Sequence, residues 1–154
     1  MFSNELVCDI LIFLKQNLNK EITIDELANI FHFNKTYIMK RFKKEINITI
    51  FDYLNSLRIF NSLSMYNYDN YVSYIAYNNG FNSLEYYSEM FKKIMGVSPI
   101  IYRKYLSRDI SINKNEIDLI LNNINKLDQL NNRVDRYLKM RKPKEKMVKS
   151  LVFK

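Results

Sequence analysis

The chain has 154 residues, enough for one ordinary domain or a small domain with an extension. Two Gly and two Pro leave too little turn chemistry for a β-rich fold, and 47% hydrophobic residues exclude global disorder. The formal charge of +8 suits a polyanionic partner such as nucleic acid, and it is uneven: residues 1–106 carry 12 basic and 10 acidic residues, residues 107–154 carry 12 and 6.

Codon bias toward Lys, Asn, Ile and Tyr contributes to this charge, so charge alone assigns nothing. Cys8 is the lone cysteine, which excludes an intrachain disulfide and points to a reducing, cytoplasmic setting. The longest apolar run, 10–14, is too short for a signal peptide or a membrane span. The chain reads as all-α.

In chain order, Leu6, Val7, Ile10, Leu11, Leu14 and Leu18 place a helical face over 4–18. Thr23 and Glu26 make a capping box that opens a helix with Leu27, Ala28 and Phe31 inside. His32 and Phe33 form a turn. Asn34 caps the next helix, 35–45, with Ile38, Phe42 and Ile46 facing inward. These two helices make a first helix-turn-helix. A longer helix is expected, uninterrupted, over 49–66, opened by Thr49 and Asp52. Tyr66, Tyr68, Tyr71, Tyr74 and Tyr77 follow as an aromatic run, read as core filling, with a partner-binding patch as the alternative.

Val72, Ile75 and Ala76 then recur at helical spacing until Asn79 and Gly80 break the helix. Gly80 can take the positive φ of the turn, and Ala76 is small enough for close helix approach. Asn82 or Ser83 opens the following helix, with Tyr87, Phe91 and Ile94 on one face. Gly96 ends it. Ser98 as N-cap and Pro99 in first position start another. This is a second helix-turn-helix, an internal repeat of the first at about 45 residues.

The order Ile75-Ala76, Gly80-Phe81, Tyr87, Phe91-Lys92-Lys93, Gly96, Ser98-Pro99, Tyr102-Arg103 closely resembles the signature of AraC/XylS-type transcription regulators. Leu27-Ala28, Tyr37-Ile38 and Phe42-Lys43-Lys44 match the first half of that family's domain, and Tyr53, Leu54 and Arg58 match its linker helix. The resemblance covers about 4–105. It implies two helix-turn-helix subdomains joined by a linker helix, residues 1–106 forming the DNA-binding domain. Most relatives carry a separate ligand-binding domain; with about twenty residues before the first unit, none is expected to precede it here.

Residues 107–154 lie outside the resemblance and read as a helical extension with a basic tail. Asn113 and Glu116 cap a helix whose Ile117, Ile120, Leu121, Ile124, Leu127, Leu130, Val134 and Leu138 form one apolar stripe. A stripe this long must be covered. A homodimer through residues 113–140 is the favoured cover; a helix folding back on its own domain satisfies the same pattern. The basic run 141–149 contains Pro143 and is expected to fray.

In a helix-turn-helix the second helix enters the major groove, and its outward, N-terminal residues reach base edges. Those positions are Lys35, Thr36, Met39 and Lys40 in the first unit. The resemblance implies Thr36, Met39 and Lys40 as the base-facing trio, with Thr36 and Met39 suited to thymine methyls and Lys40 to guanine. Arg41, Lys43 and Lys44 add backbone contacts. The second unit offers Leu84, Glu85 and Ser88 to bases and Lys92 and Lys93 to backbone. Glu89 stands where relatives often have Arg or Gln, and two glutamates on one face oppose phosphate.

No nucleophile–base pair, metal-ligand spacing or phosphate-cradling loop appears, so no enzyme activity, metal or cofactor is expected. The expected function is sequence-specific binding of double-stranded promoter DNA and regulation of transcription. The alternative is a helical adaptor that binds RNA polymerase or another regulator through the acidic second unit and the C-terminal helix.

Overall fold

The computed structural model describes residues 2–141. Among them are eight α-helices and one 3-10 segment: α1 Phe2–Asn17, α2 Ile24–Phe31, α3 Lys35–Ile46, α4 Ile50–Ser62, the 3-10 segment Leu63–Asn67, α5 Val72–Asn78, α6 Leu84–Met95, α7 Pro99–Leu106 and α8 Lys114–Arg141. The basic run beyond Arg141 lies outside the described residues. The chain forms two compact units, Met1–Leu54 with Asn131–Lys154 and Asn55–Leu130, so the division falls inside α4 and inside α8.

In the first unit, α1 is buried on more than one face. Leu6, Val7, Cys8, Ile10, Leu11, Phe13 and Leu14 are all inside, and so is Asp9. A helix apolar around most of its circumference needs cover from several sides. Helix α3 contacts one side of α1, and on the last turns of α8 Asp135 accepts a 2.7 Å ion pair from Lys15 while Val134 is fully buried.

The first helix-turn-helix is fixed by its caps. Thr23 Oγ1 accepts from Glu26 N at 3.1 Å, and Asn34 Oδ1 accepts from Tyr37 N at 2.8 Å. Between them His32 takes φ 61°, the left-handed conformation in which glycine has no Cβ penalty. Leu27, Phe31, Ile38, Phe42 and Ile46 then point into the core. The end of α3 is held from α8: Arg133 donates to the Ile46 carbonyl at 2.6 Å, one of the carbonyls a helix end leaves without an intrahelical donor.

The second unit repeats the design with different residues. Gly80 adopts φ 84° in the turn, and of the two candidate caps it is Ser83 that accepts, from Tyr86 N at 3.1 Å. Ala76 is fully buried, as close helix packing requires. Ser98 Oγ accepts from Ile101 N at 3.3 Å behind Pro99. An aromatic cluster of Tyr66, Phe81, Tyr87, Phe91 and Tyr102 fills the core, with ring centroids between 5.0 and 5.8 Å in edge-on or tilted pairs.

Two expectations are corrected. The helix expected over 49–66 tightens into the 3-10 segment at Leu63. The buried Ser62 explains it: its hydroxyl donates to the Ile59 carbonyl at 2.6 Å and bonds the Tyr87 hydroxyl at 3.0 Å, competing with the helical ladder at that point. The tyrosine run does not fill the core as a group. Tyr66 is buried, but Tyr68, Tyr71, Tyr74 and Tyr77 are 73%, 83%, 52% and 56% exposed. Ile75 and Ala76 take the inward positions of α5, so helical period turns Tyr74 and Tyr77 outward.

Helix α8 is capped reciprocally: Asn113 Oδ1 accepts from Glu116 N at 2.9 Å and Glu116 Oε1 accepts from Asn113 N at 3.0 Å. Three residues of its apolar stripe are buried within the chain, while Leu121 stays 50% exposed. Ile120 and Leu127 enter the core of the second unit beside Tyr87 and Met95, and Val134 is buried in the first.

Candidate nucleic-acid interface

Turning Ile38, Phe42 and Ile46 inward leaves a defined outer face on α3. Lys35, Thr36, Met39, Lys40, Lys43 and Lys44 are all exposed, Met39 at 43%. Thr36, Met39, Lys40 and Lys43 fall at i, i+3, i+4 and i+7, so they share one stripe. Beside them Tyr37 stacks on Phe33 with centroids 5.1 Å apart, placing an aromatic edge at the start of the stripe.

The basic residues of α3 are not equivalent. Arg41 is half-buried on the flank of the helix and pairs with Glu45 at 2.8 Å. Lys35 reaches Asp25 on α2 at 2.9 Å, an exposed pair that a phosphate can replace at little cost. Lys40, Lys43 and Lys44 have no ion pair among the described residues. The free positive charge of the first unit's outer face is therefore concentrated in the middle and last turns of α3.

In α6, Tyr87, Phe91 and Met95 are buried, and the outer stripe is Glu85, Ser88, Glu89 and Lys92. Leu84 is 36% exposed, Ser88 half-buried, and Glu85, Glu89, Lys92 and Lys93 are exposed. Positions that present Thr36, Met39, Lys40 and Lys43 in α3 thus present two carboxylates, a small hydroxyl and one ammonium in α6. The two lysines lie in its last turn, where they also complement the negative end of the helix dipole.

Elsewhere the chemistry is structural. Burial pushes the Cys8 thiol up to about 11, so it behaves as a small hydrophobe rather than a nucleophile. His32 is a turn residue with an exposed ring. Among the described residues no group of three His, Cys, Asp or Glu is placed to hold a metal ion, and no helix is long and apolar enough to cross a membrane. Sequence reading missed two features of the first unit: the Arg133 contact to α3, and an apolar crevice where α3 meets Thr49, Ile50 and Phe51. Ile50 and Phe51 did carry a signal, as adjacent apolar residues directly after a capping threonine.

The arrangement defines a class: a helical protein with two helix-turn-helix units. Residues 27–105 match the family model described as "Helix-turn-helix domain". The chain belongs to that family, in its AraC/XylS type. An uncharacterized response regulatory protein of Staphylococcus epidermidis is 36% identical over 104 residues, which are 67% of this chain and 41% of that protein. The transcriptional regulatory protein HptR of Staphylococcus aureus is 36% identical over 93 residues, 59% of this chain and 36% of its own length. The chain therefore spans about two-fifths of the curated relatives it matches.

Solved structures agree on the fold. The C-terminal domain of AraT, a response regulator from Geobacillus stearothermophilus, superposes with a TM-score of 0.63 at 24% identity, covering 65% of this chain and 84% of that one. The DNA-binding domain of AdpA, a global transcriptional factor solved in complex with a target DNA, gives 0.63 at 20% identity, covering 68% and 96%.

Proposed function

We propose that this protein is a sequence-specific, cytoplasmic DNA-binding transcription regulator without enzymatic activity, and that α3 is its principal recognition helix. The observation that carries the reading is the outer stripe of α3, exposed and positively charged through Lys40, Lys43 and Lys44. Lys35, Thr36, Met39 and Lys40 face bases of double-stranded promoter DNA. Lys43 and Lys44 contact phosphates, which set affinity and register, while the base-facing residues set sequence choice. Arg41 serves mainly to brace the helix through Glu45. Residues 1–106 form the DNA-binding part, and 107–154 are an extension whose α8 completes it.

In the second unit Leu84, Glu85 and Ser88 are the base-side residues and Lys92 and Lys93 the phosphate contacts. Its carboxylates weaken electrostatic attraction, so this unit adds less affinity. Selection of bound sequences from a random duplex pool, followed by affinity against salt, tests the reading. A defined motif and affinity falling steeply with salt support it; binding with neither refutes it.

A second reading rests on Tyr68, Tyr71, Tyr74 and Tyr77, which leave a broad aromatic surface on the second unit. That surface, with Glu85 and Glu89 on α6, suits a protein partner such as RNA polymerase. It is favoured over DNA reading only if duplex binding is absent.

A further inference from the structure

Beside the charged stripe of α3 the first unit holds a crevice of about 420 Å³. Met39, Ile50 and Phe51 form an apolar floor, and Lys40, Lys43 and Lys44 stand around it. Ile50 is 1% exposed, so the floor is continuous with the core rather than a loose surface patch. Thr49 also lines it and is itself fixed, because its hydroxyl accepts from Asp52 N at 3.1 Å.

A phosphodiester would satisfy the lysines but leave the apolar floor without a partner. A purely apolar molecule would cover the floor and leave the three lysines of the lining without a counter-charge. The volume falls in the range of small-molecule sites, which pair an apolar lining with a few placed polar groups. The complementary ligand has a flat ring system or short chain for the floor and one carboxylate for the lysines.

We propose that this crevice binds a small amphipathic carboxylate, and that its occupancy excludes duplex DNA from α3. The exclusion rests on the reading of α3 as the DNA-facing helix, since Met39 and Lys40 serve both ligands. Binding itself does not depend on that reading.

The test uses the full chain with carbon-labelled methionine methyls, followed by NMR during titration with naphthoate and, separately, with its neutral analogue naphthylmethanol. The Met39 methyl shifts saturably with naphthoate, while the methyl of Met95, buried in the other unit, stays fixed and shows that the response is local to the crevice. The neutral analogue binds about tenfold more weakly, having lost the charge-assisted contacts. The double variant Lys43→Gln/Lys44→Gln weakens naphthoate by a similar factor with Met95 unmoved. Naphthoate then displaces a fluorescent duplex selected from the random pool.

Failure of Met39 to saturate overturns the site, as does equal binding of the neutral analogue. Saturation of Met39 with the duplex still bound overturns the exclusion. A chain that binds no duplex sinks the DNA reading and the exclusion together, while the naphthoate titration still decides the crevice.

Discussion

The hydroxyls of Tyr66 and Tyr87 lie 2.7 Å apart inside the second unit, joined by a hydrogen bond that neither ring could make with solvent. Ser62 extends the chain, its hydroxyl 3.0 Å from that of Tyr87. Burial holds the Tyr66 phenol well above its ordinary pKa, so the network stays neutral. Tyr87→Phe removes the middle member and leaves the Tyr66 hydroxyl buried without its partner. The expected loss is about 1–3 kcal/mol in chemical unfolding. Tyr77→Phe, on an exposed tyrosine, changes stability by less than about 0.5 kcal/mol. Equal effects from the two would remove the network's role.

Gly96 ends α6 with φ 82°, and a Cβ there would meet Asn123 Nδ2 at 3.0 Å and the Leu119 side chain at 3.2 Å. Asn123 is not free to move away, since it donates to the carbonyls of Met95 and Leu119. Gly96→Ala therefore combines left-handed strain with a contact against α8. A destabilisation of about 2 kcal/mol in thermal or chemical unfolding is expected, and a neutral result would contradict the packing described.

Arg133 tests whether α8 braces α3 or merely follows it. Its guanidinium donates to the Ile46 carbonyl at the end of α3. Arg133→Ala is expected to cost about 1–2 kcal/mol and to raise amide exchange selectively in the last turn of α3. Unchanged exchange there would mean that the contact does not brace the helix.

His32 occupies a left-handed turn with φ 61° and an exposed ring. His32→Gly relieves the Cβ strain at the cost of unfolded-chain entropy, with a net gain of about 0.5 kcal/mol. Differential scanning calorimetry reads this directly; a fall in melting temperature would show that the imidazole contributes contacts of its own.

The two helix-turn-helix units were legible because their signals are local. Asn34, Ser83 and Ser98 cap within three residues, Gly80 and Gly96 mark turns by backbone conformation, and Ile38, Phe42, Tyr87 and Phe91 recur at helical period. What the sequence hid is tertiary. The 3-10 segment after Ser62 depends on a hydroxyl partner, Tyr87, far along the chain. An apolar stripe states that a face needs cover but not what covers it, so α8 admitted both a second copy and its own domain, and the burial of Ile120, Leu127 and Val134 within the chain was not legible. Tyrosine fits inside or outside, so the run from Tyr66 to Tyr77 carried no information on its side. Within α3, sequence grouped Arg41 with the lysines, and only the Glu45 pairing separates them.

The central claim is that α3, not α6, carries recognition, and matched variants on the two helices test it most directly. Lys40 and Glu89 occupy corresponding outward positions in the repeat. With a duplex selected by the intact chain, fluorescence anisotropy should show Lys40→Ala losing about 1–3 kcal/mol of binding, roughly five- to 150-fold in Kd. Glu89→Ala should bind as tightly as the parent or more so, since it removes a negative charge from a face near phosphate. Equal losses from the two changes would contradict the account.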